Sequence, residues 1–423
     1  MKSHLMAGIA CLAMSAGAAH AEQLTVLGGW LGEDQKSLEA MLDAYSKATG
    51  HAYSYVGSDS MEQQIIIDVE AGSAPNITFV PQPGLAADLA KRGALTPLPE
   101  GTADWVKDNY AAGQSWADLG SFPDQTGQKH LYGLFYRVDL KSLVWYSPEN
   151  FEDAGYEVPT TMEELKALSD KMVADGKTPW CIGLGSGAAT GWPATDWVED
   201  LLLRMQPPEV YDGWVSNKIP FNDPRIVAAI EEYGSFARNE KYVSGGVGAV
   251  SSTDFRDSPK SLFTSPPQCY MHRQASFIPT FFPEGTKVGV DADFFYFPSY
   301  ASKDLGSPVL GAGTMAVITK DSPEARDFIK FLETPEAHEI WMARGGFLTP
   351  LKSVDKAKFP NDEVRKMNDI LLNATTFRFD GSDQMPGAVG AGTFWTGMVD
   401  YTSGAKTAEQ AADEIQASWK NLK

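Results

Sequence analysis

Between Leu24 and Arg92, short apolar runs alternate three times with stretches of helical period. Leu24 to Leu27 is brief and apolar, as a buried strand is. Asp34 to Thr49 repeats apolar side chains at Leu38, Met41, Leu42 and Tyr45, the i, i+3, i+4, i+7 spacing of one helix face, and Gly50 stops it. His51 to Val56 alternates as a second strand. Ser60 stands where a cap belongs, ahead of Met61, Ile65 and Val69, and Gly72 ends that helix. Asn76 to Val80 is a third strand, followed by Pro81-Gln82-Pro83-Gly84 and a helix from Leu85 to Arg92. A β-α-β-α-β-α order has few solutions: a mostly parallel sheet with helices packed on its faces. Ligands of such sheets bind beyond the carboxyl ends of the strands. Gly28 to Glu33, Gly57 to Ser60 and Pro81 to Gly84 are therefore the loops of interest.

A second α/β pattern occupies the rest of the chain. Tyr132 to Tyr146 (YGLFYRVDLKSLVWY) reads as a strand that leaves one domain and enters another. Thr161 and Glu164 form a capping box for a helix that ends at Gly176. A strand is predicted over Pro179 to Leu184, then a loop from Gly185 to Thr195, then helices at Asp196 to Met205 and Asp223 to Asn239. Gln268 to Met271 is a further strand, and Pro308 to Ile318 (PVLGAGTMAVI) a return crossing. The last helix, Ala408 to Leu422, is expected to bury Ala411, Ala412, Ile415, Trp419 and Leu422. No repeat, low-complexity tract or long linker interrupts the pattern.

The first 21 residues carry an address. Lys2 precedes an apolar run from Leu5 to Ala13, and Ala19-His20-Ala21 is an A-x-A site, so a signal peptide over 1–21 cut before Glu22 is expected. The run is too short to span a membrane comfortably. Cys11 sits too early, behind Gly8-Ile9-Ala10, for a lipid anchor. The expectation is a freely soluble periplasmic protein of two domains with large cores. Its formal charge of −20 becomes −21 once Lys2 is removed, which makes nucleic acid and anionic lipid poor partners. Only Cys181 and Cys269 remain after cleavage. In an oxidising compartment they are expected to pair, the alternative being two buried free thiols.

Motifs for catalysis are missing. His51, His130, His272 and His338 lie far apart, with no H-x-x-x-H. Gly183-Leu-Gly-Ser-Gly187 matches neither G-x-S-x-G nor a dinucleotide fingerprint. Gly176-Lys-Thr178 looks like the end of a phosphate loop, but Lys171 stands where its first glycine belongs. Asp291 and Asp293 are too sparse for a calcium loop. No catalytic residue, metal or cofactor is expected, although a glycosidase or lyase using two of the 55 acidic side chains stays open as an alternative.

Five segments carry a resemblance. They are Gly57 to Leu98 (opening GSDSMEQQIIIDVEAGSAPNITFVPQPG), LKSLVWY from Leu140, GWPATDWVEDLLLR from Gly191, CYMHRQASFI from Cys269 and FDGSDQMPGAVGAGTFW from Phe379. In that order and spacing the chain resembles the carbohydrate-binding subunits of ABC importers. These are periplasmic solute-binding proteins of the maltose-binding type, and the chain is most similar to α-glucoside-binding members. The resemblance implies an α/β fold of two lobes, 22–136 with 311–358 and 140–305 with 361–423. They are joined by several hinge crossings and close on a sugar held between them. It also implies a monomer that delivers a maltose-, sucrose- or trehalose-like glucoside to membrane permease subunits. A sulfonated or glycerol-linked sugar, or a polyol, is the alternative ligand. Both cysteines then fall in the second lobe, where a bridge leaves the hinge free.

Such a cleft needs acids and amides for hydroxyls and flat aromatics for the C–H faces of a sugar ring. The residues implied in the first lobe are Trp30 and Glu33 after the first strand, Ser58 and Asp59 after the second, and Gln82 after the third. Arg137 and Asp139 lie in the first crossing, and Gly313 and Thr314 in the return crossing, where backbone can approach a ligand. The second lobe contributes Trp192, Phe277 at a place where many relatives carry tryptophan, Arg378, Asp383 and Trp395. Asp196 is expected to cap its helix. Arg378 has an alternative partner in Asp380.

Overall fold

The computed structural model describes residues 23–111 and 113–422. The expected signal peptide, Lys2 and Ala19-His20-Ala21 included, lies outside the described residues. The strands are β1 Leu24–Gly28, β2 Tyr53–Gly57, β3 Ile77–Val80, β4 Ser121–Pro123, β5 Lys129–Leu131 and β6 Gly133–Leu140. They continue with β7 Leu143–Tyr146, β8 Met271–Arg273, β9 Asp293–Tyr296, β10 Pro308–Ile318 and β11 Thr376–Phe379.

β1 pairs in parallel with β2 and β3, and the helices Gly32–Thr49 and Met61–Glu70 make the crossovers. The first helix turns Leu38, Met41, Leu42 and Tyr45 fully into the core. Gly50 ends it at φ +80°, a conformation that costs glycine nothing, and its N–H returns to the Ser46 carbonyl. Ser60 precedes the second helix without capping it through its side chain.

β10 completes this sheet. Its last residues run antiparallel to β3, its first residues parallel to β11, and its length antiparallel to β6. Every residue of β6 and β10 is buried, as befits strands covered on both faces. β7 starts just after β6 and is the centre of the second, antiparallel sheet, β8-β7-β9. Its side chains alternate between two cores: Leu143 and Trp145 join the core that holds the first sheet, and Val144 joins the other. Of the two segments read as crossings, Tyr132 to Tyr146 divides into β6 of the six-stranded sheet and β7 of the other, whereas β10 pairs within the six-stranded sheet.

A buried ionic cluster fixes the helix Trp192–Met205 to this junction. Asp200 accepts from Ser142 and Arg273, both at 2.8 Å, and pairs with Arg204. Arg204 also donates to the Phe297 and Pro298 carbonyls at 3.0 Å. The buried Arg204 guanidinium is tolerated because its donors are matched in this way. Cys181 and Cys269 are bonded to each other across 88 positions of sequence.

Several boundaries differ from the sequence reading. Pro179 to Leu184 forms bridges at Trp180 rather than a strand, because its hydrogen-bond partners change from Tyr242 and Met271 to Val250 within a few residues. The strand expected at Gln268 to Met271 is β8, three residues long and shifted toward Arg273. The helix expected from Asp196 begins earlier, at Trp192, with Pro193 in its first turn. Asp196 is therefore buried inside the helix and is not its cap. The last helix stops at Lys420, which leaves Leu422 48% exposed. The capping box at Thr161 and Glu164 is present.

Candidate functional site

A cavity of about 250 Å³ opens beyond the carboxyl ends of β1, β2 and β3. Its floor arises from strand alternation. Arg137 and Asp139 on β6, with Lys141 just past its end, are spaced i, i+2, i+4 and share one face. Across the ladder Asp139 lies opposite Ala312 and Arg137 opposite Thr314, both of which line the same cavity. Gly313, between them, belongs to the other face. A Cβ there would meet the Phe135 ring and the Arg137 carbonyl at 2.9 Å, so this glycine serves strand packing.

One wall is built from loop ends. Trp30 lies beyond β1 and packs on Phe79 and, edge-on, on Trp341, with both ring centroids 4.8 Å away. Its N–H donates to the Tyr55 hydroxyl at 3.2 Å, which donates back to the Trp30 carbonyl at 2.8 Å. Gly57 permits this closeness, since a Cβ there would lie 2.5 Å from the Trp30 carbonyl oxygen. Ser58, Asp59, Glu62 and Gln82 complete the wall. The facing wall is aromatic. Trp192, at the start of its helix, stands edge-on to Phe255 at 5.0 Å and tilted to Phe277 at 6.1 Å, and Phe281 lies 5.5 Å from Phe255. Asp380, Asp383 and Trp395 close it.

The charges are arranged in two buried groups. Arg137 donates to Asp34 at 2.9 Å and has its Nε 3.4 Å from Asp139, with Trp341 and Phe277 under its guanidinium. Lys141 donates to Asp196 at 2.8 Å and to Asp380, with its ammonium 5.4 Å from the Trp192 ring. Burial opposes the Lys141 charge, but Asp196 and Asp380 overcome it and hold the ammonium well above its ordinary range. Burial likewise opposes ionisation of Asp380, yet Lys141 and the hydrogen bonds it receives bring it down to about 2. Asp196 gains less from the same lysine, and burial pushes it up to about 7. Burial also raises Asp139, Glu62, Glu199 and Asp383, the last two further through the charge of Asp380. Among the described residues Gln82 Oε1, Arg137 Nε, Asp139 Oδ1 and Trp395 Nε1 are buried without a hydrogen-bond partner. Interiors rarely leave such atoms unmatched. Acceptors, donors and ring faces around one cavity suit a guest rich in hydroxyls.

Of the residues singled out in the sequence, Trp30, Ser58, Asp59, Gln82, Arg137, Asp139, Trp192, Phe277, Thr314, Asp383 and Trp395 line this cavity together. Glu33, Gly313 and Arg378 do not. The helix after β1 starts at Gly32, sooner than expected. Asp34 therefore turns in toward Arg137, while Glu33 stays exposed beside Lys36 at 2.6 Å. Arg378 forms a two-pronged pair with Asp212 at 2.6 and 2.9 Å, not with Asp380, which is buried on Lys141. Sequence reasoning missed Asp34, Glu62, Lys141, Phe255, Phe281 and Asp380. Lys141 was open to the period-two argument that links it to Arg137 and Asp139. Phe255 and Phe281 lie in irregular segments with no period to guide the eye.

The family model for bacterial extracellular solute-binding proteins matches residues 28–339. The alpha-glucosides-binding periplasmic protein AglE of Rhizobium meliloti (strain 1021) is 60% identical over 403 residues, 95% of this chain and 88% of AglE. The osmoprotective compounds-binding protein GgtB of Synechocystis sp. is 43% identical over 399 residues, 94% of this chain and 92% of GgtB. Among solved structures, the bacterial solute receptor AcbH gives a TM-score of 0.80 at 18% identity, covering 95% of this chain and 99% of AcbH. Maltose-bound MalE3 of T. maritima gives 0.72 at 16% identity, covering 95% and 100%. At those identities the likeness is one of fold, that of two-lobed solute receptors. With a polar and aromatic cavity beyond the strand ends of its largest sheet, and with this family match over most of its length, the chain belongs to the bacterial extracellular solute-binding protein family.

Proposed function

We propose that this chain is the periplasmic solute-binding subunit of an ABC importer, exported by a cleaved leader. It captures a neutral α-glucoside of maltose, sucrose or trehalose type and releases it unchanged to membrane permease subunits. The observation that carries the reading is the cavity itself, with Trp30 on one wall, Trp192 and Phe277 on the other, and Asp139, Gln82 and Asp383 between them. Ring faces are covered by the aromatics, and hydroxyls donate to the acids and amide. The resemblance to AglE, whose name describes α-glucoside binding, supports the ligand class.

The lobes in this reading are 22–136 with 311–358 and 140–305 with 361–423, and the β6–β7 junction and β10 are the hinge. A ligand that touches both walls is bound better by the closed form than by the open one, and that difference is all closure requires. No covalent step is needed, so the protein is proposed to be a binder and not an enzyme. A thermal-shift and calorimetric panel of α-linked disaccharides tests this, with polyols and glycerol-linked glucosides added because GgtB is named for osmoprotective compounds. At a hundred times its Kd a ligand stabilises the fold by about 2.7 kcal/mol. A panel in which no glucoside binds, or in which products form, overturns the reading.

A further inference from the structure

Among the described residues three cations border the cavity, each paired with an acid, two of them in buried pairs and Arg256 in a part-exposed one. Arg137 is held by Asp34 at 2.9 Å and Asp139 at 3.4 Å, Lys141 by Asp196 and Asp380, and Arg256 by Asp254 at 3.2 Å. The acids are placed differently. Asp59, Glu62 and Asp383 line the same cavity, and among the described residues none of them has an ion-pair partner. Glu62 accepts from the Gln82 amide at 3.1 Å. The carboxyl of Asp383 is buried; Lys141 favours its charge without touching it, and Asp380, Asp196 and Glu62 oppose it. These unpaired acids come from both walls, Asp59 and Glu62 beside Trp30, and Asp383 beside Trp395.

Resting on the functional reading above, we infer that the cleft selects its ligand by charge. It accepts neutral α-glucosides and those bearing an amine, and it rejects the same sugars once they carry a carboxylate, sulfonate, sulfate or phosphate. Among the described residues an anionic group finds no cation in the lining without an acid partner. It must detach Arg137 or Lys141 from a buried acid, which leaves that acid unpaired, draw Arg256 away from the part-exposed Asp254, or sit against the carboxyls of Asp59, Glu62 and Asp383. An ammonium group meets the opposite situation, with three acids open to it. Uncharged hydroxyls donate to the same acids in either case.

The test compares ligands of one shape and different charge. The tightest binder among maltose, sucrose and trehalose is prepared as its C6 carboxamide, its C6 carboxylate and its 6-amino-6-deoxy form. Each is titrated calorimetrically into the full-length mature protein at neutral pH. The carboxamide and the amine are expected within about tenfold of the parent, and the carboxylate at least about a hundredfold weaker than the carboxamide. The double variant Glu62→Gln/Asp383→Asn is expected to narrow that gap by about tenfold or more. Equal binding of carboxylate and carboxamide overturns charge selection and leaves the transport reading standing. A gap unchanged in a folded double variant overturns the role given to these two acids. If none of the neutral parents binds, the functional reading itself fails and this inference fails with it.

Discussion

Replacing Trp192 by alanine removes an indole from the second wall of the cavity. The indole is half-buried, opens the helix Trp192–Met205, and rests edge-on against Phe255 at 5.0 Å. Fully covering a large apolar side chain is worth about 1.5–3 kcal/mol. The face that Trp192 turns toward the cavity is part of that area, so a sugar stacked on it loses about 1.5–2 kcal/mol, or roughly ten- to thirtyfold in affinity. The fold loses the edge contact with Phe255, about 0.5–1.5 kcal/mol, and the ring beside the Lys141 ammonium, about 0.5–2 kcal/mol. Neither loss is large enough to unfold a protein of this size. Calorimetry gives the affinity, and urea unfolding gives the stability of the same variant. Trp192→Phe keeps a ring in place and is expected to recover affinity to within about threefold of wild type. If Trp192→Ala binds within about twofold of wild type while remaining folded, the indole is not a stacking platform and the wall has been misassigned.

The buried charges and the bridge lead to further outcomes. Lys141→Met leaves Asp196 and Asp380 without their ammonium and should cost about 3–5 kcal/mol in urea unfolding; adding Asp196→Asn and Asp380→Asn should recover most of it. His338 is fully buried, with Nε2 donating to the Leu332 carbonyl and Nδ1 accepting from Thr349, and burial brings it from the ordinary 6.5 to about 4. Between those two values the unfolded chain binds a proton that the folded chain does not. The neutral imidazole's contribution is thus fully present above pH 6.5 and declines as pH falls toward 4. The stability advantage of wild type over His338→Gln should therefore shrink by up to about 3 kcal/mol across that window, as read by urea midpoints. The double variant Cys181→Ala/Cys269→Ala opens a loop of 88 positions and should lose about 4–5 kcal/mol of stability, with sugar affinity unchanged because neither cysteine lines the cavity.

The parts of the site legible in the sequence were those governed by a period or by a strand end. Trp30, Ser58 and Gln82 come from loops after parallel strands, and topology alone sends such loops to one edge of the sheet. Arg137 and Asp139 share a face because strands alternate, and the same rule extended by one more alternation reaches Lys141. Where a boundary slipped, the wrong side chain was chosen. A helix that starts at Gly32 exchanged Asp34 for Glu33, and one that starts at Trp192 turned Asp196 from a cap into a buried acid. Phe255, Phe281 and Asp380 were out of reach for another reason. They meet the cavity from turns and short helical segments whose direction is set by contacts distant in sequence, and no local pattern records those. Arg378 shows the converse, since its partner Asp212 lies 166 positions away and nothing near either residue announces the pair.

A crystal of the mature protein grown with the tightest glucoside of the panel would show whether an uncharged, hydroxyl-rich sugar sits between the two walls. The expected result is a ring between Trp30 on one side and Trp192 and Phe277 on the other, its hydroxyls within hydrogen-bond distance of Asp139, Gln82 or Asp383. Sugar found outside this cavity, or inside it with its hydroxyls turned away from all three, would refute that placement and the binding mode built on it.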